Sequence, residues 1–358
     1  MSHFITGTGT KLAAGLQENY FTNAGATCTV NVPINITSVT LDPAVEKGTE
    51  ENLLKKKLKD SSYLLSITMD GSFDANLRPE MTDWLFKAST QKADQPQAEE
   101  QTIGDKVYTI QEYYLQEPGN DPIGSTFVLT RSDNNVITTY PAMTVRSLTL
   151  NAPNNDFVTV SVDLAGREEL RAAYTFGPNT MPAKTSGITA DGANYVNKTD
   201  ESSDFTKSGY IVTKGVFRWE GQEICIESCS MTLDNGLEDA PRCYQDGKYV
   251  NIPVMGRRGV TFDINLPYTE ALEYQKDNYL LSNSYGSLSL EFTSADDENE
   301  KVIIEAPYVS LTSIGSGISG TGVVETTISG EVVDYDDPES QEDDEPFVIR
   351  VQSLKVGD

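Results

Sequence analysis

The sequence predicts a mainly β chain built from two tandem copies of one unit, and three internal echoes predict it. The first sets VITTYPAMTVRSLTLNAPNNDFVTVSVDL (136–164) against VIIEAPYVSLTSIGSGISGTGVVETTISGE (302–331). Laying Val136 on Val302 places Pro141 on Pro307, Ser147 on Ser313, Leu148 on Ile314, Val158 on Val324 and Val162 on Ile328 without a gap. The second matches a strand-like run through Asn76-Leu77 to Pro79 with one through Asn265-Leu266 to Pro267, each leading into a short helical segment. The third joins ITSVTLD (36–42) to CSMTLDN (229–235). Three echoes in one order mark a repeat: strand, strand, short helix, strand, long hairpin.

Taken in order, residues 1–23 contain Gly7 and Gly9, show little periodicity and read as an arm. Residues 41–60 carry acids before Lys55, Lys56 and Lys57, the charge order of an exposed loop or short helix. Pro79 suits a first helical turn, where its missing donor costs nothing, and Met81, Trp84 and Leu85 then share an apolar stripe. Residues 88–104 read as loop, 107–115 and 125–130 as strands, and Asp133-Asn134-Asn135 as a turn. In the hairpin, Val158, Val160, Val162 and Leu164 alternate with Thr159, Ser161 and Asp163, and the second copy sets Glu325, Thr327 and Ser329 on its polar side. Such alternation is the mark of antiparallel strands with one face buried and one wet.

Residues 167–208 form the linker or an insertion, and the second unit opens near Gly209, with Asp234-Asn235-Gly236 as a turn. The stretch 334–345 packs eight carboxylates into twelve residues and resists ordering. Residues 347–354 are strand-like but lie past the repeat, with Phe347, Ile349 and Val351 on one side. A strand without a partner in its own domain exposes unpaired backbone groups, so it is expected against the sheet edge of a neighbouring chain; the other placement is back on its own second domain. The expected division is an N-terminal arm 1–23, a first domain 24–166, a linker 167–208, a second domain 209–334 and an acidic C-terminal arm 335–358.

At 358 residues the chain is comfortable for two cores. With 54 acidic against 27 basic residues it carries a formal charge of −27, which excludes wrapping nucleic acid by phosphate neutralisation and resting on an anionic membrane. No run is long and apolar enough to serve as a membrane anchor, and no leader signals secretion, so the sequons at Asn35 and Asn197 read as coincidences. Cys28, Cys225, Cys229 and Cys243 are too few and irregular for a disulfide scaffold and read as reduced thiols, Cys225 and Cys229 on one strand.

His3 is the sole imidazole and sits in the arm, so Ser/His and Cys/His chemistry has no base. Gly315, Gly317 and Gly320 satisfy G-x-G-x-x-G, but a strand rather than a helix follows, so a hairpin turn is expected. Asp296, Asp297, Glu298 and Asn299 offer hard oxygen ligands for Ca²⁺, with a solvated loop as the simpler reading. No catalytic residue, cofactor or metal is expected.

The segments TVRSLTLNAPNNDFVTVSVDLAG, ESCSMTLDNGLED with GRRGVTFDINLP, and APYVSLTSIGSGISGTGVVETTISGEV resemble the tail tube proteins of long-tailed, non-contractile bacteriophages. The resemblance spans roughly residues 4–334. It implies a β-sandwich or barrel-like domain with one flanking helix, present here twice, and subunits in rings that stack into a hollow tube guiding DNA. It also implies a virion protein assembled in the host bacterial cytoplasm, with tape measure, tail terminator and tail-tip proteins as partners. The family's rings are commonly hexameric with one domain per subunit, so a duplicated chain is expected as a trimer of pseudo-sixfold order, with a hexamer as the alternative. If the polar side of each hairpin faces the lumen, Thr159, Ser161, Asp163, Glu325, Thr327 and Ser329 line it. Two rival classes are a β-sandwich adhesin or carbohydrate binder, for which the 17 tyrosines leave room, and a carboxylate-based hydrolase.

Overall fold

The computed structural model describes residues 10–17, 30, 32–49, 62–117, 122–131, 136–166, 170–171, 209–238, 254–268, 276–315, 325–334 and 345–355. In chain order the first half holds β1 (Lys11–Leu16), β2 (Val32–Ile34), β3 (Ile36–Thr49), β4 (Ser62–Asn76), α1 (Pro79–Thr90), β5 (Glu99–Ile103), β6 (Lys106–Tyr114), β7 (Ser125–Arg131), β8 (Val136–Ala152), β9 (Thr159–Gly166) and β10 (Leu170–Arg171). The second holds β11 (Tyr210–Trp219), β12 (Gln222–Glu223), β13 (Ser228–Asp234), β14 (Leu237–Glu238), β15 (Val254–Met255), β16 (Gly259–Pro267), a π-helical turn Lys276–Leu281, β17 (Tyr285–Ser294), β18 (Lys301–Ile314), β19 (Glu325–Val332) and β20 (Val348–Leu354). The protein is mainly β and antiparallel.

Both halves lay their strands in the same neighbour order. In the first it runs β3, β4, β9, β8, β7, β1; in the second, β13, β16, β19, β18, β17, β11. The two long strands slip register at matched points, between Val145 and Ser147 in β8 and between Leu311 and Ser313 in β18. An extra residue bends a strand, and each of these bulges lies just past the point where the strand takes up a new partner. Accordingly β8 pairs with β7 in its first part and with β9 and β13 in its second.

The gapless alignment holds across both hairpins, Val145 opposite Leu164 as Leu311 is opposite Gly330 and Leu148 opposite Val162 as Ile314 is opposite Ile328; a shift appears only against the strand before, β4 or β16. Aligned on Asn76-Leu77 and Asn265-Leu266, Thr159 matches Thr327 and Ser161 matches Ser329, since they face Asn76 and Asp74 in one half and Asn265 and Asp263 in the other. That is two residues off the echo, and a slip of two keeps every side chain on its face.

Alternate residues of these strands are buried, as in β16 with Val260, Phe262, Ile264 and Leu266 inside. The sequence length suggested two cores, whereas among the described residues the buried apolar side chains form one large cluster running from Leu12 to Val351, beside a small group of Ala13, Val30 and Val128. Strand β13 pairs with β8, so the sheet of the first half continues into the second. Helix α1 buries Met81, Trp84 and Leu85 as the stripe predicts. The Trp84 ring meets Phe127 edge-on at 5.5 Å and its Nε1 donates to Ser125 Oγ at 3.3 Å.

The carboxyl end of α1 is held by both halves. Gln91, in the left-handed region at φ 60°, is fixed by its own amide: Nε2 donates to Ala88 O at 2.7 Å and Oε1 accepts from Ile123 N at 2.7 Å. From the second half, Asn235 Nδ2 donates to Ser89 O and Val145 O, each at 2.9 Å, and Arg258 Nη1 donates to Thr90 O at 3.2 Å. A cation at this end also meets the negative pole of the helix.

Several expectations are corrected. Residues 11–16 of the expected arm form β1, paired with β7 and β2. The charged stretch after Leu41 continues β3 as far as Thr49, so it is strand rather than loop or helix, while Lys55, Lys56 and Lys57 lie outside the described residues. Strand β5 occupies part of the expected loop 88–104.

The C-terminal strand finds both partners in its own chain: β20 lies between β18 and β6, and Phe347, Ile349 and Val351 are 0%, 0% and 3% exposed. Those side chains therefore fill the chain's own core rather than facing a neighbour. The physical reason is the open first part of β18, which β20 covers much as β10 covers Thr138 and Thr139 of β8.

The loop weighed as a Ca²⁺ site is a tie between halves. Asp297 accepts from Lys106 Nζ at 2.6 Å, Asn299 N at 2.9 Å and Tyr108 Oη at 2.9 Å, and these donors, Lys106 first, hold its carboxyl down at about 2. Among the described residues no group of His, Cys, Asp and Glu is placed to hold a metal. A carboxyl depressed in the folded state adds stability that is complete above its ordinary value of 3.8 and lost as pH falls toward 2. Asp297→Asn should flatten the decline in urea midpoint over that window and leave the slope above pH 5 unchanged; an unaltered acid limb would refute the tie.

Candidate functional site

Eight strands lie side by side in the order β3, β4, β9, β8, β13, β16, β19, β18. Cross-strand partners share a face. The registers Leu41 to Gly71, Phe73 to Val162, Leu148 to Val162, Leu233 to Leu148, Met231 to Phe262 and Ile264 to Ile328 therefore define one apolar side spanning both halves. The other side is polar throughout.

That polar face is laced by short side chains. Asp74 accepts from Ser38 and Ser161 Oγ, both at 2.5 Å. Ser147 donates to Asp163 at 3.0 Å, Ser230 to Asn151 at 2.9 Å, Ser329 to Asp263 at 2.6 Å and Thr327 to Asn265 at 2.6 Å. Asn265 Nδ2 donates on to Ser228 at 2.9 Å, and Thr149 and Thr232 share a hydrogen bond of 3.1 Å across the β8–β13 seam. The hydroxyls of Ser161 and then Ser38 hold the Asp74 carboxyl below its usual range, overriding its partial burial, so it stays charged.

Over the stretches 38–42, 70–76, 146–151, 159–163, 228–234, 259–265 and 325–331 the face carries Asp42, Asp70, Asp74, Asp163, Asp234, Asp263, Glu325 and Glu331. Among these residues the single cation is Arg146, on the β8 bulge, 3.4 Å from Asp70. The result is a broad negative surface of small side chains, with hydroxyls turned onto carboxylates. The thiol of Cys229 is buried on the apolar side and pushed up to about 12 by that burial. Cys225 is exposed and precedes β13, so the two cysteines do not share a strand; His3, Cys28 and Cys243 lie outside the described residues.

The structure brings Thr159, Ser161, Asp163, Glu325, Thr327 and Ser329 onto this one face, with Asp163, Glu325 and Thr327 exposed. Phe347, Ile349 and Val351 belong elsewhere, in the core. Sequence reasoning passed over Asp74, Asp263, Asn265 and Asn151. Their signal was present as alternation in Ser72-Phe73-Asp74-Ala75-Asn76 and Thr261-Phe262-Asp263-Ile264-Asn265, but which strands lie beside them is a long-range property.

No helix among the described residues is long and apolar enough to cross a membrane. No curated protein sequence matches the chain. A family profile described as phage tail tube protein matches residues 7–332, spanning both halves of the sheet, and by that match the chain belongs to the phage tail tube protein family.

Proposed function

We propose that the chain is a tandem duplication of one tube domain, that three chains close a ring of pseudo-sixfold order, and that rings stack into the phage tail tube with the polar face toward the lumen. The observation that carries this is the β8–β13 seam together with the two sheet edges left open. Strand β3 pairs only with β4, and β18 beyond Ser310 pairs only with β19, among the described residues. These edges are unlike, and they are the counterparts of β13 and of the end of β8, which pair with each other inside the chain. An open edge invites another strand, and a head-to-tail contact of fixed rotation closes a ring. Repeating the seam between chains lays Asp42 opposite Ser313, as Asp234 lies opposite Ser147.

The charge follows the same reading. A cationic wall would bind DNA by releasing counterions and stall it, whereas this face repels the phosphates weakly along its length. Stacking is assigned to the β3–β4 hairpin: among the described residues β4 pairs with β9 only from Met69 onward, and the ribbon of 43–49 with 62–68 extends past that pairing. A lone two-stranded ribbon is marginal in water and gains by docking, here on the next ring. Tape measure, tail terminator and tail-tip proteins meet the lumen and ends of such a tube, assembled in the host cytoplasm before it joins the virion.

Opposed residues in antiparallel strands lie about 4.5–5.5 Å apart at Cα, within disulfide reach. Oxidising a chain with Asp42→Cys and Ser313→Cys should therefore give a covalent ring that runs as three chains on a non-reducing gel, with Thr40→Cys and Ser313→Cys testing the next same-face register. Six linked chains would establish the hexamer, and rings that form without linking either pair would reject this closure.

A further inference from the structure

The seam inside the chain ends in a way that a joint between chains does not copy. At the seam Asp234 lies opposite Ser147, and Asn235 N then donates to Arg146 O at 2.9 Å. Strand β13 stops there because its backbone turns: Gly236 takes φ 56° and its N donates back to Asp234 Oδ1 at 2.8 Å. By the pairing of β13 with β16 and of β3 with β4, Asp42 is the counterpart of Asp234, and Pro43 stands in the place of Asn235. Strand β3 makes no turn at that point. It runs on beside β4, from Pro43 opposite Met69 to Thr49 opposite Ser62, so its pairing on the other edge must be ended differently.

One feature on each side of the joint ends it. Proline is tolerated in a strand where its nitrogen faces an unpaired edge, and the match to Asn235 makes that edge the one a neighbouring chain would take. Pro43 lacks the N–H that Asn235 gives to Arg146 O, and Thr312 holds the place of Arg146 on β18. On β18, Ser310 pairs with Glu331 of β19 on one edge and with Tyr285 of β17 on the other. An arriving β3 takes the edge away from β19, as β13 takes the edge of β8 away from β9. With Asp42 opposite Ser313, Pro43 and Ala44 reach Thr312 and Leu311, and Val45 meets the place that Tyr285 already holds.

We propose, resting on the ring reading above, that Pro43 and Tyr285 together fix the register of the joint between chains. The partner is a second copy of this chain, seated by continuity with the β8–β13 seam. A slip of two residues keeps every side chain on its face, so the apolar pattern cannot choose among such registers. Sliding β3 one way puts Pro43 inside the ladder, opposite Ile314, where its missing donor breaks a rung. Sliding it the other way drives Pro43 onto the place of Tyr285. Only the register with Asp42 opposite Ser313 avoids both.

Disulfide trapping in assembled rings tests this. Ala44 shares the face of Asp42, so Ala44→Cys with Ser313→Cys traps the first slipped register and Thr40→Cys with Ser313→Cys the second. In the parent, both should link about tenfold less than Asp42→Cys with Ser313→Cys. Adding Pro43→Ala, or Pro43→Asn as a copy of the seam, should raise the Ala44 link about tenfold and leave the Thr40 link low. Continued linking through Asp42→Cys shows that these variants fold and close. A parent that links through Ala44 or Thr40 as readily as through Asp42, or an Ala44 link that stays low in both Pro43 variants, would overturn this register device and leave the ring reading standing. Chains that form no rings and link through none of the three pairs would remove both.

Discussion

Tubes built from a chain carrying Asp163→Lys and Glu325→Lys will assemble and will release their DNA about tenfold more slowly or not at all at low salt. Both positions are exposed on the polar face; among the described residues the Asp163 side chain is engaged by the Ser147 hydroxyl, and neither position lies in the core. Assembly should therefore survive, the more so because the chain's charge of −27 becomes less extreme. Each substitution exchanges a repelled phosphate for a neutralised one, and neutralisation releases counterions. The binding that results must weaken steeply with salt, so adding salt should speed release from the variant while scarcely affecting the parent. Asp163→Asn with Glu325→Gln, which removes charge without adding cations, should behave as the parent. Ejection at the normal rate in low salt would show that this face does not line the channel.

The second large effect falls on the seam between halves. Asn235→Ala should lower stability to urea by about 2–3 kcal/mol, because buried acceptors left without donors cost about 1–3 kcal/mol each. The amide serves two carbonyls, Ser89 O and Val145 O, and Val145 O keeps a weaker donor in Gln91 Nε2 at 3.3 Å. Asn235→Asp should be worse than Ala, since it turns a carboxylate toward the same carbonyls in a site with no exposure. If the alanine variant matches the parent, the helix end is not what fastens the two halves.

The fold was legible in the sequence where information is local. Val158, Val160 and Val162 alternate with Thr159 and Ser161 in one short stretch, so strand and faces could be read directly. Met81, Trp84 and Leu85 gave α1 for the same reason. Strand β3 was missed beyond Leu41 because Glu46 and Lys47 look like loop, and only its pairing along β4 makes it a strand. The place of β20 was misjudged because the open edge it covers belongs to β18, far back in the chain, and its other neighbour β6 lies in the first half. Of the polar face, the six hairpin residues were recognisable one strand at a time, but the ladder joining Asp74, Ser161 and Ser38 depends on three strands meeting. Asn235 looked like one more turn residue, since nothing in Asp234-Asn235-Gly236 records that a helix end will be waiting for it.

The paired bulges at Arg146 and Thr312 have a mechanical side. Since β8 hydrogen-bonds with β7 as far as Met143 and with β9 from Thr144, just ahead of its bulge, force applied to the first sheet reaches the second along covalent backbone, without relying on side chains that can slide. The bulge is also where such a strand bends most easily. A wall built this way would flex at a few fixed points while its strands keep their length, so bending would tilt the sheets against each other before it narrowed the space they enclose.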